Sequence, residues 1–156
     1  MAKLVSNGWE IYFHPQLFGT QYQELFDRVS NLREKLPESE FKTHATLKLF
    51  AAITVAIETN IPCDPFASHF ALTGALKRYG RVKKMGLAQR YRLFFRAFDT
   101  PELKAIVIVW LGFPRKKGAK DDCYQVFTKM VTQGRFPDSL DELAPESDVI
   151  GDESEK

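Results

Sequence analysis

The sequence predicts an α+β fold: a helical hairpin packed on a small β-sheet, with one more helix toward the C-terminus. Three observations carry this. Trp9, Ile11 and Phe13 recur at the two-residue period of a strand. From Phe18 to Ile57 the apolar residues change to the three-and-four spacing of amphipathic helices, and between Arg81 and Leu111 the strand period returns. With 156 residues and 44% hydrophobic content, the chain is long enough to bury one core and short enough to read as one domain.

The elements follow in order. A short strand begins the fold around Trp9 to Phe13, and His14-Pro15 ends it. Phe18, Tyr22, Leu25, Val29, Leu32 and Leu36 then line one face of a helix, which Thr20 with Gln23 is expected to cap and Pro37 to end. A second helix is expected from Phe41 to Thr59, its broad apolar face built from Ala45, Leu49, Ala52, Ile53, Ala56 and Ile57. Asn60 to Tyr79 carries Pro62, Pro65 and Gly74 without a sustained period and reads as a connecting loop with at most one helical turn. Three strands are then expected, over Arg81 to Met85, Arg90 to Phe98 and Lys104 to Leu111, with Asp99-Thr100-Pro101-Glu102 as the turn of the last hairpin. Ile106 to Val109 is apolar on both faces, which places that strand in the centre of the sheet. Asp121 or Asp122 caps a final helix running to about Thr132, with Gly134 just past its end.

Charge is unevenly distributed. From Asp138 onward eight acids stand against Lys156, a charge of −7, so the net +2 leaves +9 on residues 1–137. The reading is a folded domain over residues 1–137 and an acidic tail over 138–156, with a short helix at Ser139 to Leu143 and partial disorder beyond. The longest apolar run, Ala105 to Leu111, falls far short of the roughly 20 residues that span a bilayer, so a soluble, cytoplasmic protein without a membrane partner is expected. Cys63 and Cys123 lack the spacing of a zinc site and read as free thiols.

A basic body suggests an anionic partner. Lys77, Arg78, Arg81, Lys83, Lys84, Arg90, Arg92 and Arg96 follow one another without an intervening acid. On the strand from Arg90, alternation puts Arg90, Arg92, Phe94, Arg96 and Phe98 on one face, and Tyr91, Leu93, Phe95 and Ala97 on the other, toward the helices. The first face would show guanidiniums beside rings, a surface suited to single-stranded RNA. Arg115, Lys116, Lys117 and Lys120 form a second basic cluster leading to Tyr124. Lys84, Arg90, Phe94, Arg96, Lys116, Lys117 and Lys120 are therefore the candidate RNA contacts. A non-catalytic RNA- or ribosome-binding module could use the same face, and so could an acidic protein partner.

The ordered motifs add a family resemblance. Asn7-Gly8-Trp9, His14-Pro15 with Phe18, Leu47-Lys48-Leu49, Arg81-Val82-Lys83, Arg90-Tyr91-Arg92-Leu93-Phe94-Phe95-Arg96 and Gly118-x-Lys120-x-Asp122-x-Tyr124-x-x-Phe127 occur in the order seen in YhaV-type toxins. The similarity covers roughly residues 6 to 143. It implies a RelE-like architecture, two helices on a small antiparallel sheet. The implied function is a type II toxin that cuts mRNA, often at the ribosome, and is neutralised by a cognate antitoxin of the PrlF-like, AbrB-like kind.

The resemblance also implies site residues: Arg81, Lys83, Arg92, Arg115 and Tyr124. The implied reaction is attack of a ribose 2′-hydroxyl on the adjacent phosphorus, with Arg92 and Arg115 on the phosphoryl oxygens, Arg81 orienting the backbone and Lys83 as general base. Tyr124 either stacks on a base or donates a proton to the leaving oxygen. His14, at the end of the first strand, is a further candidate. The segment Leu111 to Pro114 is shorter than the YhaV pattern, so Lys116 and Lys117 stand as alternatives to Arg115. No metal or other cofactor is expected: Asp121 and Asp122 are adjacent and diverge on a helix, and most other acids lie in the tail.

Overall fold

A computed structural model of the chain describes residues 4–143, except Gln89 and Pro114. The strands are β1 (Leu4–Ser6), β2 (Trp9–Phe13), β3 (Gly80–Val82), β4 (Arg92–Asp99) and β5 (Lys104–Gly112). They form one sheet in the order β1-β2-β5-β4-β3, which puts β5 at its centre, as its two apolar faces require. Pairing is antiparallel except between β2 and β5, which run parallel with Glu10 opposite Ala105 and Phe13 opposite Ile108. The sheet is thus mixed rather than wholly antiparallel. The helical segment after β2 and the β3-β4 pair intervene before β5, and a connection of that length lets the chain return in the same direction.

The helices are α1 (Phe18–Lys35), α2 (Glu38–Thr43), α3 (Ala45–Val55), α4 (Ile61–Cys63), α5 (Cys123–Thr132) and α6 (Leu140–Leu143). Thr20 does not cap α1: its hydroxyl donates to the Pro15 carbonyl, and the Leu17 N–H instead donates to His14 Nδ1 at 3.2 Å. The expected second helix is divided. His44 ends α2 and caps α3 by accepting the Thr46 N–H on Nδ1 at 3.1 Å, and α3 continues through a wider turn over Ala56–Asn60 into α4. The segment before β3 holds more than the single helical turn expected: besides α4 it contains two short 3₁₀ turns, Ser68–Phe70 and Gly74–Leu76, each too short to show a period in the sequence.

Both faces of the sheet are covered. On one, Trp9, Ile11, Phe13, Leu93, Phe95, Ile106 and Ile108 pack against Phe18 and Leu25 of α1 and Leu49 and Ile53 of α3. On the other, Tyr12, Phe94, Val107 and Val109 pack against Phe127 and Met130 of α5, with Phe136 and Leu143 closing the layer. Leu143 lies in the segment assigned above to the tail and is buried here. The register of β5 shifts at Phe94/Phe95, so Phe94 faces Trp110 while Phe95 faces Ile108. Val109 and Trp110 therefore join the same layer.

Candidate active site

Strands β3 and β4 and the start of α5 meet at one end of the sheet. Asp122 caps α5, accepting the Tyr124 N–H on Oδ2 at 3.1 Å, and this fixes the first helical turn. Tyr124 consequently projects toward β3 and β4. Its phenol oxygen accepts Arg81 Nε–H at 2.9 Å and Arg92 Nε–H at 3.2 Å. Arg81 also donates through Nη1 to the His69 carbonyl at 2.8 Å, and Arg92 through Nη1 to the Tyr91 carbonyl at 2.8 Å.

Arg115 completes the cluster, its guanidinium lying over the Tyr124 ring with Cζ 4.8 Å from the centroid. Asp122 holds it there, Oδ1 accepting from Arg115 Nη1 at 2.6 Å and from the Lys116 N–H. The short loop thus does not displace Arg115. Burial by itself pushes the Asp122 carboxyl up, but the bonds from Arg115, Lys116 and Tyr124 outweigh it and hold the group below the usual carboxylate range. Lys83 follows β3 in solvent, and its amine is held below the ordinary lysine range chiefly by the Arg81 charge, with Lys84, Arg92 and Arg115 adding to it. Arg81, Arg92, Arg115 and Tyr124 are therefore in contact, and Lys83 stands near enough for its amine to feel the charges of Arg81, Arg92 and Arg115.

Several candidate RNA contacts are placed differently. Phe94 is fully buried, stacked on Phe127 at 4.2 Å between centroids and on Trp110 at 5.8 Å, so it offers no ring to a base. Alternation sorts the two faces of β4 correctly, but α5 covers the one read as open. Arg96 lies over Phe98 and Tyr79 and donates to Asp138 Oδ1 at 2.9 Å, its side chain only 11% exposed. Arg78 grips the other oxygen of Asp138 at 2.7 Å, and together they hold that carboxyl below its usual range.

Arg90 precedes β4, so the strand's alternation does not assign it a face. Strand β3 ends at Val82 because Lys84, Met85 and Gly86 all take positive φ, at 66°, 57° and 89°, which leaves the extended region. Lys84, Arg90, Lys116, Lys117 and Lys120 are exposed. His14 accepts the Leu17 N–H and meets Phe136 edge-on at 5.5 Å, so it anchors α1, and burial lowers its pKa. Asp122 is the residue undervalued in the sequence. It appears there, beside Asp121, as one of two possible helix caps, and the acid spaced two residues before Tyr124 also orients Arg115.

Among the described residues no group of three or more His, Cys, Asp or Glu is placed to hold a metal ion, and no helix is long and apolar enough to cross a membrane. No solved structure matches the chain. Residues 11–148 match the family model described as a toxin with endonuclease activity, of a toxin-antitoxin system. The chain is 35% identical over 150 residues to the ribonuclease toxin YhaV of Escherichia coli K12, covering 91% of this chain and 94% of that protein. The same identity and coverage hold for toxin YhaV of E. coli O157:H7 and of E. coli O6:H1. The chain therefore belongs to the YhaV family of toxins with endonuclease activity from toxin-antitoxin systems.

Proposed function

We propose that this chain is a RelE-like endoribonuclease toxin that cleaves mRNA with cationic side chains and without a metal, and that a cognate antitoxin of the AbrB-like, PrlF type silences it. One observation carries the chemistry: the phenol of Tyr124 receives N–H bonds from both Arg81 and Arg92 while Arg115 covers its ring. Both bonds use oxygen lone pairs, so the phenol's own hydrogen is directed elsewhere. Tyr124 then gives that proton to the departing 5′-oxygen. Stacking on a base is disfavoured for it, because Arg115 covers one face of the ring and Phe94 meets it edge-on at 5.6 Å.

Lys83, in its neutral form, takes the proton of the ribose 2′-hydroxyl as that oxygen attacks phosphorus. The bond to the 5′-oxygen breaks, leaving a 2′,3′-cyclic phosphate and a 5′-hydroxyl. Negative charge gathers on the phosphoryl oxygens in the transition state, where Arg92 and Arg115 stabilise it more than the ground state. Arg81 orients the backbone. The same cluster would be blocked by an antitoxin segment that presents carboxylates to Arg92 and Arg115.

The test compares Arg92→Ala and Tyr124→Phe with the unaltered protein on single-stranded RNA. A lost transition-state donor costs roughly 100-fold or more in rate, so kcat/KM should fall by that factor while RNA binding weakens less than about tenfold. A rate that falls only in step with binding would make the face a binding module instead.

A further inference from the structure

With Phe94 in the core, the catalytic cluster lacks the ring on which a substrate base was expected to stack. Among the exposed large apolar side chains is Phe113, 52% accessible. A single exposed apolar residue is ordinary, but Phe113 lies at the strand ends that also carry Arg92 and Arg115, the arginines proposed above to hold phosphate. It stands two residues before Arg115. It stacks on Tyr91, with centroids 4.5 Å apart and planes at 23°, and the Tyr91 carbonyl accepts Arg92 Nη1–H at 2.8 Å. The end of β5 that carries Phe113 is clamped by Gln21, whose Nε2 donates to the Leu111 carbonyl at 2.9 Å and whose Oε1 accepts the Leu111 N–H at 2.8 Å. Beside the stack lies a cavity of about 260 Å³ lined by Gln21, Glu24, Arg28, Tyr91, Trp110 and Phe113.

We infer that the Phe113 ring, backed by Tyr91, is the platform for the RNA base next to the scissile phosphate, with Glu24 and Arg28 facing the polar edge of that base. This rests on the RNA-cleavage reading above. A flat ring backed by a second ring and held between cation-bearing segments meets two needs of single-strand binding: a π-face for the base and charge for the flanking phosphates. Stacking of this kind is made alike in the ground and transition states, so its loss falls on KM rather than kcat.

The test uses a single-stranded RNA with one cleavage site, and copies carrying one abasic ribonucleotide at each flanking position. The unaltered protein should lose about tenfold in kcat/KM at one abasic position. Phe113→Ala and Phe113→Leu should lose a similar factor on intact RNA, in KM, and lose nothing more on that abasic copy. Phe113→Tyr should recover the loss. The inference is overturned if Phe113→Leu cleaves intact RNA normally or if the two losses multiply. A defect confined to inhibition by the antitoxin also overturns it and gives the ring to a protein partner. Arg92→Ala, run in parallel, separates the cases: if that variant cleaves as fast as the unaltered protein, the RNA-cleavage reading itself has failed.

Discussion

Replacing Asp122 tests whether one carboxylate joins the fold to the site. Asp122→Ala removes the α5 cap on Tyr124 N–H, the acceptor for Lys116 N–H and the partner of Arg115. Loss of a cap costs about 1 kcal/mol. Arg115 is 26% exposed and can turn toward water, so the lost pair adds roughly 1–2 kcal/mol, below the range for a fully buried pair. A total of about 2–3 kcal/mol lowers the Tm of a domain this size by about 5–10 °C. Asn caps a helix nearly as well as Asp, so Asp122→Asn should melt nearer the unaltered protein while still releasing Arg115. Both variants should lose about tenfold or more in RNA cleavage, since Arg115 loses its charged anchor. Because the folded-state pKa of Asp122 is depressed, its contribution is present above the unfolded value near pH 4 and is lost as pH falls through the lower folded value. The unaltered protein should therefore lose more stability than Asp122→Asn below about pH 4. Thermal unfolding by circular dichroism between pH 3 and pH 7, with cleavage assays at neutral pH, measures all of this. An Asp122→Ala variant that melts and cleaves like the unaltered protein would refute the reasoning.

Three further outcomes follow from the same geometry. Phe94→Ala should cost about 3–5 kcal/mol by chemical denaturation, because it leaves a hole against Phe127 and Trp110; a cost below about 0.5 kcal/mol would return the ring to the surface. With Lys83 as general base and its pKa below the ordinary lysine value, kcat/KM should rise with pH to a limb below about pH 10.4, and Lys83→Met should abolish that limb. Native protein should react with a thiol reagent at exposed Cys63 and not at Cys123, whose thiol is buried and pushed up in pKa chiefly by that burial; mass spectrometry of labelled peptides reads the difference.

Much of the fold was legible because local patterns determined it. The doubly apolar run Ile106 to Val109 placed β5 at the centre, and the pair Asp121 and Asp122, of which Asp122 is the cap, and Gly134 marked the two ends of α5. Alternation also divided β4 correctly, with Leu93 and Phe95 toward α1 and α3. It could not say whether the opposite face was open. The stripe of Tyr124, Phe127 and Val131 on α5 also needed burial, and setting it on Phe94 would have exposed the second core. The parallel β2-β5 pair was not legible, since it depends on how a long connection crosses rather than on either strand. Nor was the early end of β3, where Lys84 and Met85 adopt a left-handed φ that their side chains do not signal. At the site, the motif residues converged as their order implied, while the Asp138 bridge to Arg78 and Arg96 joins residues too distant in sequence to be paired by spacing.

The most direct test of the central claim is the chemistry of the cut ends. Single-stranded RNA is incubated with the purified protein in excess EDTA, and the products are identified by mass spectrometry. Cleavage by the Arg92, Arg115, Lys83 and Tyr124 cluster predicts undiminished cutting, with 2′,3′-cyclic phosphate and 5′-hydroxyl ends, and no cut where the attacking 2′-hydroxyl is replaced by hydrogen. Loss of cutting on chelation, restored by magnesium or manganese and leaving 5′-phosphate ends, would contradict it.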